Sequence, residues 1–430
     1  MEIRDPIHGT LDFNKSEIKV IDTPAFQRLR MIKQLGFSEF SFPGASHSRY
    51  IHSLGVSYLA GVAFDFIFKD FKFSSEDKRK NYRQVLRLGA LLHDIGHGPL
   101  SHTSEEVMPQ LNELNVSAYK NKVNAITERK ADHEDYTIKF IMDSHLNEEL
   151  TKAFPDFDPY HVACLIDKQL PDQNDFFTDQ DLNFRTILSQ LVSSEVDVDR
   201  MDYLPRDAYY CGTSYGKVEL NWLLANFRYH IVDNNVHLAL DRRAIYTFDD
   251  FLLSRHHMYL MVYFHHKSII YEEMLFRYLT SEDCEFKLPG NIEKYVGYTD
   301  FSLYENMAKS KNPWAKRITD RRSFKVLFEN HVTDSSPRTD KLNKILNDAG
   351  IETITASSKT RLSKYHGVIN EKMEADIYVV DPYDPHGKPI TIDACTEIFQ
   401  KYEGARTIER LYVSPENMEM ARVLLNKVTF

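Results

Sequence analysis

Apolar residues recur at helical spacing through most of the first 280 positions. Asp22-Thr23-Pro24 reads as a helix start, with Thr23 as cap and Pro24 in the first turn, and Phe26, Leu29, Ile32 and Leu35 follow on one face. A second helix is predicted from about His52 through Phe68, and Val85, Leu86, Leu88, Leu91 and Leu92 mark a third. Residues 103–132 are charged and irregular, a partly helical, mobile insertion, before His133-Glu134 opens another helix. Asp233-Asn234-Asn235 between two β-type runs signals a hairpin. Residues 246–279 read as one long aromatic-rich helical segment, and 302–330 as two short helices joined at Pro313-Trp314. From about 336 the period changes to two. Strands are expected at 351–355, 377–380 and 390–392, with a turn over 381–387 and a helix over 415–428. The expected architecture is mainly α: a helical core over 1–280, a helical extension over 281–335 and a small α/β lobe over 336–430.

Charge and composition narrow the function. The formal net charge is −10 and no sustained basic stripe appears, which argues against specific binding of duplex nucleic acid. An acidic chain can still hold an anion through a local cluster of Arg, Lys and metal. Cys164, Cys211, Cys284 and Cys395 are far apart with no CxxC spacing, as expected of reduced cytoplasmic thiols. No secretory signal pattern and no membrane-spanning window is expected, so the predicted location is cytoplasmic.

The densest chemistry lies at 91–102, Leu-Leu-His-Asp-Ile-Gly-His-Gly-Pro-Leu-Ser-His. An apolar helix ends there in Gly96, Gly98 and Pro99, and three histidines and an aspartate gather at its end. A lone His-Asp pair reads more readily as a buried, hydrogen-bonded histidine and a carboxylate that ends a helix; the Gly-His-Gly-Pro-x-Ser-His that follows favours a site. A second centre runs from Glu195 to Asp207, with acidic groups at 197, 199 and 202 and Arg200 and Arg206 among them. His52, His93, Asp94 and Asp199 supply two nitrogens and two oxygens for one divalent ion, leaving positions open for water and substrate. With no thiolate, Mg, Mn, Fe and Zn all remain candidates. Asp197 and Asp202 are read as solvent- or backbone-facing partners, not ligands.

Three ordered motifs carry a resemblance: Phe42-Pro-Gly-Ala-Ser-His-Ser-Arg-Tyr-Ile-His52-Ser-Leu-Gly-Val, His93-Asp-Ile-Gly-His-Gly-Pro-Leu-Ser-His102, and Asp197-Val-Asp-Arg-Met-Asp-Tyr203 with Arg206-Asp207. From about Asp5 to Lys267 the chain resembles the HD-domain dNTP triphosphohydrolases, without a sterile-alpha-motif part. The resemblance implies an HD-domain helical core and metal ligation by His52, His93, Asp94 and Asp199. It places His102 as the group that activates or orients the attacking species, with His97 and His133 near the phosphates. Arg49 and Arg200 would clamp the triphosphate, a lysine being usual at the latter position. Tyr203 and Asp207 would read the sugar, and Gln34 and Leu35 would border it.

Some positions depart from the family pattern. Glu105 stands where an aspartate assists a catalytic histidine, and His256 and Phe264 replace an arginine and a tyrosine that contact nucleotide. Base preference is therefore left open. By the same resemblance, nucleotides bound between subunits assemble a dimer or tetramer. Asp22 and Arg30 match positions that recognise a guanine nucleotide, and Arg242 and Lys267 match a neighbouring dNTP site; ordinary surface charge is the competing reading. The implied activity is hydrolysis of a dNTP to deoxynucleoside and inorganic triphosphate, with GTP or dNTP as activator. The alternatives are a nucleotide-sensing oligomer without turnover and an HD phosphohydrolase acting on another nucleotide.

Overall fold

A computed structural model of the 430-residue chain describes residues 1–121, 128–332, 337–360, 377–384, 387–396, 398 and 406–428. The architecture is mainly α, with a small α/β lobe at the C-terminal end.

The central element is the Arg49–Ile67 helix, buried on nearly every face. Contrary to the expectation of no such window, it is long and apolar enough to cross a bilayer by length and composition alone. However, 72% of that window is buried inside the fold, which marks it as a core helix. The Glu76–Leu92 helix lies against it; Ser75 caps its start by accepting from the Lys78 amide, and its last two turns, Val85 to Leu92, are buried. The helix ends at His93, so the apolar run delivers the histidine cluster to the end of a rigid rod.

Two other helices complete the frame. Asp132 and Asp135 form a reciprocal capping box that opens His133–Asp143. Asp197 caps Val198–Cys211 by accepting from the Arg200 amide at 2.8 Å, which puts Asp199 in the first turn and Asp202 on the side facing the central helix.

The region from 103 to 121 consists of short helical turns, among them Leu111–Leu114 and Ser117–Asn121. Residues 122–127, within the segment read as mobile, lie outside the described residues. The predicted hairpin is present as Phe227–Val232 and Asn235–Asp241, with Asp233 and Asn234 at φ of 48° and 61°, the left-handed pair of a tight hairpin turn.

Three expectations change. The 246–279 segment is two helices, Ile245–Met258 and His266–Leu279, joined by a π-helical turn at Tyr259–Tyr263. The helical reading of 302–330 holds for Asp300–Lys309 and Pro313–Thr319, but Lys325–Val332 is a strand. That strand pairs with Arg406–Val413, which pairs in turn with Thr353–Thr360. The helices Pro337–Asp348 and Met418–Leu425 pack on this sheet through Leu342, Leu346, Leu411, Val413 and Ala421. Finally, Tyr378–Val380 and Ile390–Thr391 do not join this sheet; they extend the Asn235–Asp241 hairpin, the former in parallel. Period-two patterning identifies a strand but not its partner.

Candidate active site

The two ends identified above meet beside the central helix. His52 projects from the first turn of Arg49–Ile67, His93 and Asp94 from the end of Glu76–Leu92, and Asp199 from the first turn of Val198–Cys211. His52 Nε2 lies 3.0 Å from Asp199 Oδ1 and 3.6 Å from Asp94 Oδ2. His93 Nε2 lies 3.4 Å from Asp94 Oδ1 and 3.5 Å from Asp199 Oδ1.

These residues fit a divalent cation. Both imidazoles engage Nδ1 elsewhere: His52 donates to Asp202 Oδ2 at 2.7 Å, and His93 to the Ala90 carbonyl at 2.8 Å. Both Nε2 atoms are buried without a hydrogen-bond partner among the described residues. A histidine that donates through one nitrogen and presents the bare lone pair of the other is oriented as a metal ligand. Electrostatics agrees. Burial alone would lower the pKa of His52, yet Asp199 and Asp202 carry it up to about 10. His93 is likewise raised, Asp94 and Asp199 outweighing burial. The nest demands positive charge at its open nitrogens.

Asp94 serves a second partner. Arg49 donates to it through Nη1 and to Ser101 Oγ through Nη2. Burial would favour the neutral acid, but Arg49, His93 and His97 hold the Asp94 carboxyl well below its usual range. The guanidinium is thereby aimed along the edge of the nest, where an anion would find both cations.

Beyond Asp94 lies a second group, His97, His102, Glu105 and His133. His97 and His133 stack with ring centroids 3.9 Å apart and planes 12° apart. Glu105 Oε1 accepts from His102 Nδ1 at 2.9 Å and from His133 Nδ1 at 2.7 Å. Its longer arm thus serves two histidines at once. The same two histidines overcome burial to hold Glu105 down at about 2, while Glu105 raises His133 against burial. Burial, then Arg49 and His133, drive His97 well below the ordinary value. Within one stack, one ring is pushed toward its neutral form and the other toward its charged form, an arrangement suited to proton handling. His102 is mostly exposed; its Nδ1 is committed to Glu105, which leaves Nε2 for a reacting group.

The loop carrying these histidines is held from behind. Arg28, fully buried, donates through Nη2 to the His97 carbonyl at 2.6 Å and through Nε to the Tyr298 carbonyl at 2.9 Å. Tyr295 donates to the Gly96 carbonyl at 2.9 Å, and Thr137 Oγ1 accepts from the Gly96 amide and donates to the His93 carbonyl.

Asp207, on the helix that carries Asp199, accepts from His47 Nε2 at 2.7 Å and from the Tyr263 hydroxyl at 2.8 Å. Tyr203 lies near Tyr263, ring centroids 6.2 Å apart. Gln34 donates its amide to the His47 carbonyl, and its side-chain Oε1 is buried and unpaired, an acceptor left for a ligand. Leu35 follows it, half-buried. Arg200 donates to the Ser194 carbonyl and to Asp197.

The remaining positions lie at other places on the fold. Asp22 and Arg30 are exposed, with Arg30 over the Tyr50 ring. Arg242 pairs with Asp381 on the wall of a separate cavity of about 980 Å³. Lys267 reaches the Phe40 carbonyl at 3.4 Å.

Four residues that sequence reasoning left without a role enter the site: His8, His47, Asp202 and Tyr263. Asp202 corrects the earlier reading. It is fully buried and bonded to His52, facing neither solvent nor backbone. His47 and Asp202 stand inside quoted motifs; nothing local marks His8 or Tyr263.

Family models match at the same places: the HD domain over residues 49–206 and the HD associated region over residues 227–358. The chain belongs to the HD-domain family. It falls within the metal-dependent HD phosphohydrolase superfamily. The chain is 34% identical over 264 residues to the uncharacterised protein YwfO of Bacillus subtilis, covering 61% of this chain and 51% of that one. A deoxynucleoside triphosphate triphosphohydrolase SAMHD1 homolog of Dictyostelium discoideum is 32% identical over 343 residues, covering 76% of this chain and 60% of that one. The chain thus spans between half and two-thirds of the length of these relatives. Among solved structures, a hypothetical protein from Aquifex aeolicus matches with a TM-score of 0.75 at 24% identity, covering 99% of both chains, a likeness of fold.

Proposed function

We propose that the chain is a metal-dependent dNTP triphosphohydrolase, releasing deoxynucleoside and inorganic triphosphate. The observation that carries this reading is the adjacency of two clusters, a His-His-Asp-Asp nest and a Glu105-centred histidine group, with Arg49 between them. The likeness to a deoxynucleoside triphosphate triphosphohydrolase supplies the substrate class.

In this reading His52, His93, Asp94 and Asp199 hold one divalent ion, which supplies Lewis acidity toward the α-phosphate when bound. Arg49 and the His133 imidazolium bind the negative charge of the triphosphate; Arg200 joins them if it leaves Asp197. Water adds to the α-phosphorus, the bond to O5′ breaks, and His102 Nε2 handles the proton exchanged between water and the leaving O5′, oriented by Glu105. Asp207, positioned by His47 and Tyr263, accepts from the 3′-hydroxyl. Tyr203, Gln34 and Leu35 border the sugar and exclude a 2′-hydroxyl. Asp22 and Arg30, and separately Arg242 and Lys267, form activator sites in a homo-oligomer.

Purified protein incubated with Mn²⁺ or Mg²⁺ and each dNTP, with and without GTP, followed by chromatography of the products, tests the reading. Deoxynucleoside and triphosphate are expected in equal amounts. Phosphate or pyrophosphate as product would point to another HD phosphohydrolase reaction. No turnover of any dNTP, even with GTP, would overturn the assignment.

A further inference from the structure

The opening motif Asp5-Pro6-Ile7-His8-Gly9 lies at the turn of an N-terminal hairpin, Glu2–Asp5 paired with Gly9–Asp12. Asp5 Oδ1 accepts from the amides of Ile7 and His8, both at 2.9 Å, and Gly9 takes a φ of +79°, so the turn presents the His8 ring in one fixed direction. That ring reaches 194 residues along the chain: His8 Nε2 meets Asp202 Oδ1 at 2.7 Å. The other oxygen of Asp202 holds His52 Nδ1 at 2.7 Å.

Asp202 is fully buried, and Arg206 grips both its oxygens, Nε to Oδ2 at 2.7 Å and Nη2 to Oδ1 at 2.8 Å. Arg206 Nη1 returns to Asp5 Oδ2 at 2.8 Å, which closes the circuit on the hairpin. An ionised carboxylate only accepts, so both imidazoles must donate to Asp202. His52 is thereby fixed as the tautomer with its proton on Nδ1 and its lone pair on Nε2, facing Asp94 and Asp199.

The central helix makes room for this circuit. A Cβ at Gly55, one turn after His52, would overlap Asp202 Oδ1. Glycine inside a helix costs about 1 kcal/mol relative to alanine; here it lets a buried carboxylate approach the helix that carries the ligand.

We propose that His8 is a positioning residue of the metal centre: through Asp202 it fixes the tautomer and aim of His52, so the N-terminal hairpin forms part of the site. This rests on the assignment of His52 as a ligand. Carboxylate–histidine partners outside the ligand sphere typically contribute about 10–100-fold to metal affinity.

The test uses the full chain stripped with EDTA, with Mn²⁺ binding followed by calorimetry and metal content by mass spectrometry. His8→Ala is expected to weaken Mn²⁺ binding about 10-fold or more, with metal-free melting close to wild type. His8→Gln, whose amide can still donate to Asp202, is expected to recover most of the affinity. Gly55→Ala, which crowds Asp202 and Arg206 from the side of the central helix, is expected to lose affinity as His8→Ala does. Wild-type affinity in His8→Ala would overturn the proposal. So would a loss that His8→Gln fails to recover and that tracks a fall in metal-free melting. A wild-type chain that binds no divalent metal would instead overturn the ligand assignment beneath it.

Discussion

Asp199 is the least committed of the proposed ligands, with its side chain 30% exposed and ion-paired, among the described residues, to His52 and His93, so its replacement isolates the metal role. Asp199→Ala is expected to reduce turnover by more than about 100-fold, beyond the effect of losing an outer partner, while circular dichroism and melting stay near wild type. Unchanged turnover would remove Asp199 from the ligand set. Glu105 offers a pH test. It raises the pKa of His133, so the imidazolium is present below that raised value and is lost as pH rises through it. In Glu105→Gln the supporting charge is gone, and the alkaline limb of the pH–rate profile should move to lower pH. An unmoved limb would mean that His133 is not the group titrating there. Single residues were also where the sequence was most and least legible. His93, Asp94, His97 and His102 sit within ten positions and declare themselves by density. Asp202 looked like one more acid in a charged run, because its partners His8 and His52 lie 194 and 150 residues away. Hydrogen bonds of that span leave no local pattern to read.

Elements place the site by where they stop. The Glu76–Leu92 helix ends as its apolar run gives out, and Gly96 lets the following loop touch the start of His133–Asp143: a Cβ there would overlap the His133 carbonyl and crowd Thr137. Gly96→Ala is therefore expected to destabilise the protein by about 1–3 kcal/mol, in the range of an overpacked core. It should also separate His97 from His133, so activity should fall further than the folded fraction does. Urea melts paired with specific activity check this, and a neutral effect on both would show that the contact has slack. The break of the 246–279 segment into two helices follows a related logic. Its period is helical throughout, and no proline or glycine announces a break; the π-helical turn inserts an extra residue that changes the helix face, and Tyr263 at its end donates to Asp207. The interruption serves a tertiary contact, which periodicity cannot anticipate. The short strands failed for another reason: three residues at Tyr378–Val380 satisfy the alternation of either sheet, and the choice of partner is made by the Asn235–Asp241 edge they meet.

At the scale of the whole molecule, the extension after the helical core reaches back into the site. Asp300, buried at the first turn of Asp300–Lys309, accepts from the amides of Leu100 at 2.8 Å and Lys33 at 2.9 Å. Leu100 and Ser101 both take positive φ, 53° and 64°, which non-glycine residues rarely adopt and which the surroundings must therefore enforce. Ser101 then accepts from Arg49, and Arg49 donates to Asp94. A single carboxylate from the 281–335 segment thus fixes a strained pair of residues, an arginine of the proposed phosphate clamp and a proposed metal ligand. Removing it leaves two backbone donors without partners, each worth about 1–3 kcal/mol when buried. Asp300→Ala should destabilise by about 2–4 kcal/mol. Relaxation of Leu100 and Ser101 should release Arg49, so kcat/KM should fall at least about 10-fold (1.4 kcal/mol of transition-state stabilisation) at temperatures where the variant is fully folded. Asp300→Asn keeps one acceptor oxygen and should fall between the two in both respects. If Asp300→Ala loses stability but turns over like wild type below its melting transition, the extension only braces the fold. If the two losses appear together and Asp300→Asn recovers both in part, the strained loop is held in place for chemistry and the extension belongs to the active site.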